Sequence, residues 1–129
     1  MVSPGALADL LRDLLRDQTS VVAVTENVNS MPGQGVASMF AMGKSYGILL
    51  GVLATLSIAT HTVSPGKWKK FYALGKEKDQ SRELAQRMWP DAPLNLKKHH
   101  NRAESLLLAK YYLDAIHKGP FKRPRILSL

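Results

Sequence analysis

A chain of 129 residues that is 45% hydrophobic is sized for one compact domain with a single buried core, and a second domain is not expected. The absence of cysteine excludes a disulfide framework and any thiolate metal centre; with no basic, apolar leader at Met1-Val2-Ser3-Pro4-Gly5, an intracellular site is expected. The net charge of +8 is uneven, with three Lys/Arg against four Asp/Glu up to His61 and fifteen against six from Thr62 onward, so the second half suits a polyanion such as duplex phosphate.

Ser3-Pro4 pairs a helix cap with proline at the first helical position, and Leu7, Leu10, Leu11, Leu14 and Leu15 recur at helical spacing, predicting an amphipathic helix through Asp17. The β-branched run over residues 21–28 predicts a buried strand of an α/β sheet, with a carboxylate, Glu26, near its end. Residues 29–35 are dense in turn formers and predict a loop. Residues 36–57 predict a helix in which Gly43, Gly47 and Gly51 share one face, open to a neighbouring helix or a second subunit. Lys44 is its single charge, which raises a membrane span, but the uninterrupted apolar run over 46–59 is shorter than the roughly 20 residues a bilayer requires, so a buried core helix and no membrane are expected.

Residues 59–63 predict a short strand, and Ser64-Pro65 repeats the cap-then-proline start for a helix through Trp68 and Phe71. Further helices are predicted over 78–89, stopped by Pro90, and over 101–117, followed by a basic, proline-broken tail read as flexible. The domain is thus expected over 1–117 and the tail over 118–129. Alternating helices and strands imply an α/β sheet with parallel members.

Glu26 is the first candidate for chemistry, because α/β proteins place their sites at the carboxyl ends of strands; an exposed strand end reads the same way. His100 and Glu104, four apart on a helix, share a face and suit one ion or one water, or else a solvated pair. Two carboxylates from different elements suit Mg²⁺, a hard cation, with His100 as proton carrier or water-orienting group rather than primary ligand. Lys78, Ser81 and Arg82 fall within one turn and suit phosphates, or an ordinary polar helix start. Trp68 between Lys67, Lys69 and Lys70 suits a DNA backbone, or a helix burying its Trp and exposing its lysines.

Several segments in order resemble the RuvC-like Holliday junction resolvases, especially their phage and chloroplast branch. They are Glu26-Asn27-Val28 with the run over 31–40, Gly43-Lys44-Ser45-Tyr46-Gly47, Val63-Ser64-Pro65 with Trp68-Lys69-Lys70, Lys78 with Ser81-Arg82, and the run over 102–109. The resemblance implies a five-stranded RNase H-like sheet, a homodimer, and Mg²⁺-dependent symmetric nicking of four-way junction DNA. It implies Glu26 and Glu104 as metal-binding catalytic acids, His100 as a histidine one turn before the last acid, and Lys78 near the scissile phosphate. Gln34, Gly35 and Phe40 are implied to approach the junction centre, and Lys44, Trp68, Lys69, Lys70, Ser81 and Arg82 to contact DNA.

Two departures shape the expectation. The family's first strand, with its Asp-Pro-Gly motif, and the two strands after it have no counterpart before residue 20, and His99 stands where relatives often carry aspartate. The sheet is therefore expected to lack its first strands. Low Mg²⁺ affinity is expected too, with Mn²⁺ the better metal because it tolerates a nitrogen ligand such as His100. The alternative is a catalytically impaired remnant that binds DNA or junctions.

Overall fold

A computed structural model describes residues 3–18, 20–117 and 124–129, without the side chain of Lys78. The chain forms α1 (Pro4–Leu14), β1 (Val21–Glu26), α2 (Val36–Thr55), β2 (Ala59–Val63), α3 (Pro65–Phe71), α4 (Lys78–Met88), α5 (His100–Tyr111) and β3 (Arg125–Ser128). A single 3₁₀ turn (Lys97–His99) leads into α5, and a π turn (Tyr112–Ile116) ends it.

Both serine-proline starts hold, but only one serine caps. The Ser3 hydroxyl accepts the Ala6 amide at 3.4 Å, whereas Ser64 makes no side-chain cap bond and α3 begins on the φ of Pro65 alone. Of the leucines in α1, Leu11 is buried and Leu7 partly so, while Leu10 and Leu14 face solvent.

The sheet has three strands in the order β2-β1-β3, both pairs parallel. A parallel pair needs a crossover, and α2 supplies it between β1 and β2. Side chains alternate along β1 as a strand buried on both faces demands. Ala23 packs with Leu11, Val52, Leu53 and Leu127 under α1 and α2, and Val24 packs with Trp68, Ala85, Ala103 and Leu107 under α3, α4 and α5. The result is three layers, helices on both faces of a small parallel sheet.

Two expectations change here. The C-terminal residues are not a free tail throughout: Arg125–Ser128 pair with β1 on the edge opposite β2, with Val22 level with Ile126 and Val24 level with Ser128. Residues 118–123, the rest of that basic stretch, lie outside the described residues. Nor is α2 a buried core helix along its length. Val52 and Leu53 are buried, but Val36, Phe40 and Met42 are exposed, and only 11% of its most apolar 18-residue window is covered. By length and composition α2 is apolar enough to cross a membrane. An added Cβ at Gly43, Gly47 or Gly51 meets nothing within 4 Å among the described residues, so none of them packs on that stripe.

Candidate functional site

The carboxyl end of β1 opens into a cleft of about 530 Å³ walled by α1, α2 and α5. The chain leaves β1 toward α2 on one face of the sheet and leaves β2 toward α3 on the other, which opens a crevice at this edge, as in other open α/β sheets. Glu26 reaches it from the last position of β1 and Glu104 from the second turn of α5, with Thr25, Asn101, Ser105 and Tyr46 supplying further oxygens to the wall.

Glu26 is held by its neighbour layer. The Trp68 indole N–H donates to Glu26 Oε1 at 2.8 Å, and no other side chain among the described residues bonds that carboxylate. Lys69 Nζ lies 5.5 Å from the Trp68 ring centroid and 4.0 Å from Glu104 Oε1. The segment α3 therefore touches both acids, one through a neutral donor and one through a cation. At 4.0 Å and partly exposed, the Lys69–Glu104 pair contributes about 1 kcal/mol at most to stability and serves chiefly to orient Glu104.

Three of the residues expected to touch DNA do other work. Trp68 is fully buried, so its ring is unavailable for stacking on a nucleic acid and its role is to position Glu26. Ser81 is 2% exposed and packed inside α4. Arg82 donates to Asp79, Gln86 and the Leu94 carbonyl, tying α4 to the segment before α5. That ion pair holds the Asp79 carboxyl below its ordinary value, the hydrogen bond from Arg82 being the largest cause.

The remaining expectations divide. Lys70 is exposed and shares a basic depression of α3 with Lys69 and Lys76. Gln34 lines a smaller hollow of about 220 Å³ that shares Val28 and Met42 with the main cleft. Gly35 begins α2, and Phe40 and Lys44 stand exposed on it. His100 opens α5 with Nδ1 3.3 Å from the Lys97 carbonyl and is not among the residues that wall the cleft. His99 Nδ1 accepts the Leu96 amide at 3.3 Å. Desolvation, then the charges of Arg102, Lys98 and Arg82, depress its pKa, keeping that nitrogen free to accept. The side chain of Lys78 lies outside the described residues.

Sequence reasoning gave no role to several contributors to the wall, among them Thr25, Tyr46 and Leu129. Asn101, part of the cluster 99–104 that the sequence singles out, lies three residues before Glu104 and lines the cleft with it. Thr25 and Tyr46 fall within or beside segments already singled out, but nothing in a threonine or tyrosine marks it as lining a cleft. The Tyr46 hydroxyl is one of three buried side-chain polar atoms among the described residues that lack a hydrogen-bond partner. Leu129 carries no signal at all: it reaches the cleft only because β3 pairs with β1.

The wall is mostly apolar, from Leu7, Val28, Met42, Leu49, Leu108 and Leu129, and the oxygens set into it are carboxylate, hydroxyl and amide, the types a hard divalent cation accepts. Among the described residues no three His, Asp or Glu side chains gather closely enough to hold a metal by themselves. Neither the family models nor the curated proteins searched match this chain.

Proposed function

We propose that this chain is a structure-selective DNA-binding protein of the RNase H-like, RuvC-type class, with a weak divalent-cation site that cleaves phosphodiesters of four-way junctions slowly. The observation that carries the reading is that Glu26 and Glu104, from different elements, line one cleft at the carboxyl edge of a parallel sheet. Mg²⁺ or Mn²⁺ bound there supplies an activated water and a counter-charge for the leaving oxygen. The chain's own contribution is to aim the acids: Trp68 fixes one oxygen of Glu26, and Lys69 stands beside Glu104. Lys69, Lys70 and Lys76 sit on the same short helix and the loop after it, where they meet the phosphate backbone. The substrate class comes from the resemblance, and the basic second half of the chain agrees with it.

Two side-chain carboxylates are few for two cations, which favours junction binding with slow cleavage over efficient turnover. The partner on the exposed face of α2 is a second copy of the chain, whose two-fold symmetry matches that of the junction. An intracellular, membrane-free location belongs to the same reading.

Binding is tested by titrating a labelled immobile junction across a salt series. Each phosphate neutralised contributes about −0.9 to the log–log slope, so Lys69→Glu with Lys70→Glu makes the slope shallower by about 2. A slope near zero in the unaltered chain contradicts nucleic acid as the partner.

A further inference from the structure

Phe71, the last residue of α3, is a large aromatic left half open to solvent, at 50% exposure. Its ring is nevertheless fixed in direction. Tyr72 meets it nearly edge-on, with centroids 5.0 Å apart and an interplanar angle of 86°, and Tyr111 of α5 does the same at 5.4 Å and 79°. Perpendicular contacts of this kind suit the ring quadrupole and orient the phenyl without stacking on it. Both tyrosines are anchored in turn: they pack against the core under α5, and the Tyr72 hydroxyl donates to Asp114 Oδ2 at 3.1 Å. Ala73 then takes a left-handed φ of 54°, strained for a residue with a Cβ, and turns the chain away directly after the two rings.

Cations adjoin this ring. Lys67, four residues earlier, shares its stripe of α3, and Lys70 precedes it; both are exposed, and neither makes an ion pair among the described residues. Asp114, which holds Tyr72, is itself met by Lys110 at 2.8 Å. Lys70 also lines the basic depression, so the aromatic stripe borders the surface read above as meeting phosphates. Along α5, Tyr111 stands seven residues beyond Glu104, about 10 Å from it. An oriented, unstacked aromatic ring beside cations matches the chemistry of an unpaired nucleobase, whose face stacks on the ring while its flanking phosphates meet the lysines. A base inside a duplex has both faces covered by its neighbours and cannot reach it.

We propose that Phe71 is a stacking platform for one unpaired nucleobase of the bound DNA, with Lys67 and Lys70 on the phosphates that flank it. The inference rests on nucleic acid as the partner and adds a base contact that the reading above does not contain.

Three labelled probes test it on the full chain: an oligothymidine strand, an abasic strand of the same length, and the immobile four-way junction. The two strands carry the same phosphates and differ only in having bases to stack. The unaltered chain binds oligothymidine about tenfold more tightly than the abasic strand, within the range for one base on one ring. Phe71→Leu, which keeps an apolar side chain, removes that difference while urea midpoints show the variant folded, and Phe71→Tyr retains it. Lys67→Gln weakens both strands alike. Equal affinity of the unaltered chain for the two strands, with the junction still bound, overturns the platform and leaves nucleic acid as the partner. A preference for oligothymidine that survives Phe71→Leu also overturns it and assigns the ring to packing or to a protein partner. Binding to none of the three probes removes both readings together.

Discussion

Glu26 takes its orientation from an indole N–H that has no other purpose in a fully buried ring, so the two functions of Trp68, packing and positioning, separate by substitution. Trp68→Phe keeps an aromatic in the core and deletes the donor. It costs about 2 kcal/mol, the range for a hydrogen bond to a charged group, and it weakens Mn²⁺ binding as well. Trp68→Ala costs about 4 kcal/mol through the cavity. Urea unfolding beside Mn²⁺ titration checks both; a Trp68→Phe protein that loses stability but keeps its metal affinity shows that the indole packs and does not position. Tyr72 gives a pH test. Burial, then the charge of Asp114 and its hydrogen bond at 3.1 Å, push the phenol above its ordinary range. The unfolded chain then releases this proton first, so the contribution is complete below about pH 10 and is lost as pH rises from there toward the folded value. Tyr72→Phe flattens that alkaline loss in pH-dependent thermal unfolding, and an unchanged alkaline limb contradicts the assignment. At this scale the positions of the two acids were legible, Glu26 at the end of a β-branched run and Glu104 four residues after His100 on a helix, and both line one cleft. Trp68 was not, since a tryptophan among lysines reads identically whether the ring or the ammoniums face outward.

Local chemistry marked most elements. Proline after serine, β-branched runs and the stop at Pro90 place α1, β1, α2, β2, α3 and α4 within a few residues of expectation. The exception is β3, four residues next to a basic proline-broken stretch. Its stability comes from the edge of β1 and from Ile126 and Leu127 entering the two cores, contacts no local pattern encodes. The lining role of Leu129 was hidden for the same reason. The glycine stripe of α2 was legible but not its exposure, and that exposure makes a clean test. No described residue lies within 4 Å of a Cβ at Gly47, so Gly47→Ala stabilises the isolated fold by about 1 kcal/mol from helix propensity. Gly47→Leu blocks the close approach of a second copy and shifts light scattering from dimer to monomer at tens of micromolar. A chain already monomeric at that concentration, or one that needs detergent to remain dispersed, contradicts a self-association role for this face.

Across the whole molecule, the parallel sheet brings the carboxyl ends of β1 and β3 beside the second turn of α5, and a mostly apolar cleft results that carries Glu26 and Glu104 in its wall. Lys69, Lys70 and Lys76 line one depression on and after α3, while Glu26 and Glu104 line the cleft; under the proposed function the lysines are the phosphate contacts. The two surfaces are linked by Trp68, which bonds Glu26, and Lys69, which stands 4.0 Å from Glu104. The central claim is that Glu26 and Glu104 hold the metal that cleaves. Single-turnover nicking of a labelled immobile four-way junction tests it most directly, with Mg²⁺ and Mn²⁺ compared and each acid replaced in turn. The expected result is slow nicking, faster in Mn²⁺ than in Mg²⁺, that falls at least a hundredfold in Glu26→Gln and in Glu104→Gln while junction binding is retained. Robust Mg²⁺-dependent nicking that survives both substitutions would contradict it.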